Sequence, residues 1–548
     1  MKRTLLLSLV VFLTIQAFAT KLVEVNVLDK DYIHLYFVDG EATFVDDAKG
    51  NCPYDHCEDL DHNDYIPFGS PLNTSNAQNN GTYSITSSDD GNYTSAKQPL
   101  NVYRKTKISD MVQRGWINDD YTYDFGYEHH LFLKLPMSMQ QGKTYSLTIN
   151  GNTNSDQTNV SFTYDIFTVR SEAIKVNVVG YTKSTAIKAA DVYYWMGDGA
   201  ARDYSSFEGN KIYLFDVNSK TSVEVGTLIF GTNEATEMIH GHKLLKSKVW
   251  HADFTGNYAS GKYTLAIEGI GCSDTFEISD EAYREPFGIS VKGFFYMRIG
   301  QDNLNMIPVP RRPLYIPNSS PSNCKVYLTS MSPYHPQWGS FTSGDAWDQE
   351  QDWVQFKLSG NPTNPNAYGG HSDALDWDRH LGHVSIIYDM LLPYILTDGA
   401  QSDDDLGIAE SGNGIPDLLD EAKNEVDFWL RLRDQNGGYS HGLTNPDGDN
   451  ALYQAAATGV AAWANAANAA MLAHAYQIAG EQSLKQVYTD SAVAAYAFAN
   501  ALADPQLNKT QNVGYNTMSG VDFKLLAAVF LYNVTGNTDY RKRFEWYY

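Results

Sequence analysis

At about residue 285 the hydrophobic pattern of this chain changes period, and that switch limits what it can fold into. Before it, short apolar runs such as Leu22–Leu28, Tyr32–Val38, His130–Leu135 and Tyr145–Ile149 are separated by Asn, Gly, Asp and Ser clusters. Runs of that length between turn residues predict strands. A second set begins at Ala173–Tyr181 and closes near Tyr263–Ile267 and Phe276–Ile278. After it, apolar residues recur at helical spacing. Val384, Ile387, Tyr388, Leu391 and Leu392 form one stripe, and Leu418, Leu419, Ala422, Val426, Trp429 and Leu430 another. An Ala-rich helix is expected over about 452–479, with others over about 484–503 and 520–533. The fold class is therefore multidomain: all-β modules over 21–170 and 171–280, both sandwich-like, then an all-α region over 285–548.

The 548 residues carry a formal net charge of −25, which argues against nucleic acid and anionic membrane as partners. Met1–Ala19 reads as a secretory signal. Lys2 and Arg3 precede an apolar stretch, and Ala17-Phe18-Ala19 is a cleavage site of the A-x-A kind. No later run is long and apolar enough to span a bilayer, so a secreted monomer, extracellular or periplasmic, is expected. In an exported protein the four cysteines allow two disulfides. Cys52 and Cys57 are close enough to pair, and Cys272 and Cys324 are expected to be free. No cysteine or histidine run has zinc-ligand spacing, and no cofactor is assigned. The acidic stretch from Asp46 to Asp64 offers oxygen ligands for a structural calcium without EF-hand spacing, and reads equally as a solvated loop.

The chemistry is concentrated in Gly369-Gly370-His371-Ser372-Asp373-Ala374-Leu375-Asp376-Trp377-Asp378-Arg379-His380. Two aspartates three residues apart follow a Gly-Gly turn and precede a helical stripe, so both face roughly one way at a helix entrance. The helix dipole there favours the anion, which suits a base kept ionised in a cleft. Downstream, Glu410-Ser411-Gly412-Asn413-Gly414-Ile415-Pro416-Asp417-Leu418-Leu419-Asp420-Glu421-Ala422 combines a Gly-rich turn, an early Pro and first-turn acids, which predicts a helix start. Its carboxylates are expected to be structural.

The first segment resembles the Gly-Gly-x-x-Asp-Ala-x-Asp motif of glycoside hydrolase family 9, the inverting cellulases. The second resembles that family's Asn-Gly-Ile-Pro-Asp-Leu-Leu-Asp-Glu helix. Val176-Asn177-Val178-Val179-Gly180-Tyr181 is similar to the start of the immunoglobulin-like domain that precedes many such catalytic domains, and Phe294-Phe295-Tyr296 to the first barrel helix. The resemblance covers about 171–548. It implies an (α/α)6 toroid, a β-1,4-glucan polysaccharide or oligosaccharide as substrate, and hydrolysis by inversion. It makes Asp376 the general base and Asp373 its partner in holding water. Inversion sets base and acid roughly 6.5–9.5 Å apart, too far for two aspartates on neighbouring turns to be the pair. His371 and Trp377 would flank the site and His441 would line the cleft. Trp338, Trp347 and Trp353 fall in the irregular stretch before the motif and are candidate sugar-stacking platforms.

The family's general acid, a late Glu, has no recognisable counterpart before Tyr548. The chain holds about six or seven helices, roughly half of those that close such a toroid. It is therefore expected to be an incomplete, inactive form of the domain. The family's calcium-binding Asp-Glu pair is Asp522-Phe523 here, so that metal site is not carried over. Gly438-Tyr439-Ser440-His441-Gly442 matches G-x-S-x-G, but without the strand before it and helix after it that a nucleophile elbow needs. Two alternatives remain: a non-catalytic carbohydrate-binding or scaffold protein with a remnant catalytic domain, and an exo-acting glucosaminidase-like hydrolase.

Overall fold

The computed structural model describes residues 19–40, 42–46, 63–67, 71–117, 120–232, 238–239, 242–298, 325–335, 353–371, 384–443, 451–502, 510–513 and 516–547. It divides into two compact units, Met1–Arg284 and Glu285–Tyr548. The first is rich in β-sheet and the second in helix. The leader, Cys52, Cys57, Cys324 and residues 47–62 of the acidic stretch lie outside the described residues.

In the first unit, strands β1 (Lys21–Asp29), β2 (Tyr32–Val38), β3 (Asn101–Ile117) and β4 (Asp120–Lys134) form an antiparallel sheet in the order β1-β2-β4-β3. Strand β2 is apolar at nearly every position because both faces of this sheet are covered. Ile33, Leu35 and Phe37 enter one core with Leu131, Leu133, Tyr145 and Leu147. Tyr32 and, on β4, Phe132 enter the other, with Tyr194, Leu214, Trp250 and Leu265. The period-2 geometry of a strand sends alternate side chains to opposite cores. A three-stranded sheet of Tyr83–Thr86, Lys143–Ile149 and Asn159–Tyr164 closes the first core. The second lies between two further sheets. One runs Ile174–Lys175, Ala189–Val192, Val249–Asp253, Ile229–Thr232. The other has Lys211–Asp216 and Gly261–Ile267 at its centre. Cys272 is a buried free thiol, as expected.

The second unit contains helices α1 (Arg284–Tyr296), α2 (Val384–Leu396), α3 (Asp417–Arg431), α4 (Gly459–Ala479), α5 (Gln482–Ala501), α6 (Gly520–Thr535) and α7 (Thr538–Tyr547). Helix α4 is buried almost all round, because its alanines let neighbours approach closely while Trp463 and Met471 fill the remaining space. The Thr458 hydroxyl accepts from the Ala461 N–H at one end, and Gly480, at φ 86°, turns the chain out at the other.

One expectation is corrected here. Helices were predicted without strands between them, yet Lys325–Leu328 and Ala451–Gln454 pair as a parallel ladder. The Ala-rich helix accordingly starts at Gly459 rather than near 452. Ala451–Gln454 is short and apolar, and only pairing with a partner far away in sequence distinguishes it from a helical turn.

Candidate functional site

Helix α3 begins where its sequence predicted, with Pro416 at the N-cap and Asp417 and Asp420 in the first turn. Its buried stripe contains Leu418, Ala422, Val426 and Trp429, and between them, on the same face, Glu421 and Glu425. Carboxylates one helical turn apart in an apolar stripe must meet cations inside the protein.

Those cations are Arg298 and His371. The Arg298 guanidinium donates to Glu421 through Nε at 3.1 Å and through Nη2 at 2.6 Å, and its Nη1 reaches Glu410 at 2.8 Å. His371 meets Glu425 through Nδ1 at 2.8 Å and through its backbone N–H at 3.0 Å, and its Nε2 meets Glu421 at 3.2 Å. Trp429 donates from Nε1 to the other Glu425 oxygen at 2.8 Å. The His371 ring is buried, edge-on to Phe294. Burial alone lowers the pKa of such a ring, but hydrogen bonds to Glu421 and Glu425 outweigh it and hold the pKa above its ordinary value. An imidazolium is the form in which both ring nitrogens can donate.

The Gly-Gly turn brings His371 to this clamp. Gly369 and Gly370 have φ of 91° and 85°, and a Cβ on Gly370 would lie 2.9 Å from the Phe428 ring. Only glycine fits that close, left-handed position. Asn424 donates to the Gly370 carbonyl at 3.3 Å, and Arg431 stacks on Tyr368 at 4.2 Å. The segment 368–371 is thus fastened along helix α3. Beside the clamp, Arg298, Glu410, Asp420, Lys423, Asn424 and Asp427 line a pocket of about 320 Å³. Burial, with Glu410 and Asp417 nearby, pushes the Asp420 carboxyl up to about 6.

Asp373, Asp376, Trp377, Trp338 and Trp347 lie outside the described residues. His371 is buried, with both ring nitrogens on carboxylates. His441 is also buried, edge-on to Tyr334. Trp353 is corrected: it is 1% exposed and packs with Met331, Tyr453 and Ala455, so it offers no platform to a sugar. Ser440 is buried and donates to the Ala455 carbonyl at 2.7 Å, in agreement with the rejection of a nucleophile elbow. Sequence reasoning missed Arg298, Glu410, Glu421 and Glu425 as a unit. The available signal was the pair of glutamates inside an apolar helical stripe.

No family model matches the chain. It is 26% identical over 345 residues to Endoglucanase D of Acetivibrio thermocellus, an alignment covering 59% of this chain and 48% of that protein. It is 26% identical over 199 residues to a xyloglucan-specific endo-beta-1,4-glucanase of Bacteroides ovatus, covering 35% of this chain and 29% of that one. Both relatives are named as endoglucanases, so the chain is similar to glucan-cleaving glycoside hydrolases. It spans about half the length of Endoglucanase D. Among solved structures, a family 9 protein of Bacteroides ovatus overlaps it with a TM-score of 0.48 at 20% identity, over 69% of this chain and 64% of that one. A metagenome-derived family 9 endoglucanase gives 0.48 at 22% identity, over 68% and 63%. The clamp joins His371, at the end of the Gly-Gly turn, to Glu421 and, through Arg298, to Glu410.

Proposed function

We propose that this chain belongs to a hydrolase of β-1,4-glucans that works by inversion, with Asp376 as general base and Asp373 helping to hold the attacking water. The observation that carries the reading is the fastening of His371 to Glu421 and Glu425, two residues before Asp373. A general base must be held close to its productive geometry, and a buried ionic anchor at the segment's entrance supplies that rigidity. On this reading His371 positions the segment rather than contacting sugar, while Trp377, Trp338 and Trp347 remain candidates for sugar contact. The sheets over 171–280 are then the immunoglobulin-like domain, the helices part of an (α/α)6 toroid, and Met1–Ala19 a leader for export.

The test is hydrolysis of carboxymethylcellulose, xyloglucan and chitosan by protein expressed from its complete reading frame, beside Asp376→Asn. The expected result is cleavage of a β-1,4-glucan with inverted product anomer, reduced by about 10²–10⁴-fold in the variant. Cleavage of chitosan alone would move the substrate to glucosamine chains. A well-folded protein silent on all three would leave a carbohydrate-binding role instead.

A further inference from the structure

The sheet face between the two cores of the first unit carries a group of side chains that glycan hydrolysis does not use. His34 on β2 and His130 on β4 project from that face, and Glu172 comes from the segment entering the second set of sheets. One ligand-capable atom from each lies within 4.8 Å of the others. His34 Nε2 is 2.9 Å from His130 Nδ1.

The neighbours hold these groups in place. His130 turns Nε2 to Glu128 at 3.2 Å, the carboxylate–histidine arrangement that orients an imidazole whose other nitrogen binds a metal. Tyr36 stacks on the His130 ring at 4.8 Å, and Phe132 on the His34 ring at 4.9 Å. Glu172 accepts from the Tyr194 hydroxyl at 2.8 Å, and Tyr194 in turn accepts from Lys105 at 2.8 Å.

A second observation separates this from an ordinary buried polar cluster. His34 is 0% exposed and its Nδ1 has no hydrogen-bond partner. If His130 donates from Nε2 to Glu128, its Nδ1 accepts from His34 Nε2–H, and an electron pair on His34 Nδ1 is left buried without a donor. In the other tautomer, electron pairs of the two rings face each other at hydrogen-bond distance. Either state is costly in a protein interior, and a cation bound by His34 Nε2 and His130 Nδ1 removes the apposed electron pairs of the second.

We infer that His34, His130 and Glu172 form a zinc site that ties the sheet of β1–β4 to the segment leading into the 171–280 sheets. Two imidazoles and one carboxylate are a donor set that Zn²⁺ takes readily and Ca²⁺ does not, leaving a fourth position for solvent. Lys105 bonds to the Tyr194 hydroxyl at 2.8 Å, one group removed from Glu172. With His34 and His130 buried and Glu172 half-buried on one sheet face, the ion ties strand to segment rather than meeting a polymer.

The test is calorimetric titration of the chelator-stripped full chain with Zn²⁺, with Co²⁺ as a spectroscopic stand-in. One saturable equivalent is expected, together with a rise in Tm and the visible bands of tetrahedral cobalt. Glu172→Gln, which preserves size, and His34→Ala should each weaken that equivalent at least tenfold and remove the cobalt bands, with far-ultraviolet circular dichroism confirming intact sheets. Failure of the parent chain to bind an equivalent overturns the proposal. So does binding undiminished in the folded Glu172→Gln variant, which would place the ion elsewhere.

Discussion

His371 presents its backbone N–H and its ring Nδ1 to the same carboxylate oxygen of Glu425, at 3.0 and 2.8 Å. One oxygen of helix α3 thereby holds both the main chain and the side chain of the residue entering the aspartate segment. Glu421 completes the arrangement from one turn earlier and shares itself with Arg298.

Breaking one member of this buried network strands the others. His371→Ala should destabilise the helical unit by about 3–5 kcal/mol, measured by urea unfolding followed through tryptophan fluorescence. The pH dependence has a definite sign. The folded pKa of His371 is raised above 6.5, so its contribution is full below that pH and is lost as pH rises through the folded value. The stability gap between the parent and His371→Gln should therefore narrow with increasing alkalinity. A gap that widens would mean that the ring is neutral in the folded protein.

Asp420 has the opposite preference from most carboxylates. Its folded pKa is raised from 3.8 to about 6, so between those values the native state keeps a proton that the unfolded chain releases. Stability should fall as pH rises through that window. Asp420→Asn keeps an acceptor for Asn413 and removes the ionisation. Its Tm should exceed that of the parent by a few degrees near neutral pH, with the difference vanishing in acid, as read by scanning calorimetry.

Gly370 and Gly369 provide a paired comparison. Both have positive φ, but a Cβ on Gly370 meets the Phe428 ring at 2.9 Å, while one on Gly369 meets only the flexible end of Arg431 at 3.2 Å. Gly370→Ala should cost about 1–3 kcal/mol from strain alone and more from the clash. Gly369→Ala should cost less. Equal losses in equilibrium unfolding would show that the ring moves aside freely.

Ser519 and Asp522 form a reciprocal cap on helix α6, each side chain meeting the other's backbone N–H. Ser519→Ala should lower stability by about 1 kcal/mol in chemical denaturation, and Ser519→Asp by much less. The carboxylate that a calcium site would have claimed is thus engaged in holding a helix end.

Much of the architecture was legible because local rules decide it. The change of period near 285, the start of α3 at Pro416, the stop of α4 at Gly480 and the span of β2 all follow from spacing, caps and turn residues within a few positions. The Ala451–Gln454 strand was not legible, because its partner lies over a hundred residues earlier. Trp353 misled for a related reason: an indole in a Pro- and Asn-rich stretch suits a sugar or a core equally well, and only the packing of Met331 and Tyr453 decides between them.

By itself, the sequence determined the two-part construction, the helix that carries Glu421 and Glu425, and the Gly-Gly turn with its aspartates, since each depends on interactions between near neighbours in the chain. Tertiary structure alone decided that Arg298 and His371 neutralise those glutamates, and that His34, His130 and Glu172 converge on one sheet face. Charge burial and metal ligation depend on which groups share a low-dielectric space. Chain positions as distant as 34 and 172 come to share one only when the sheets close over them.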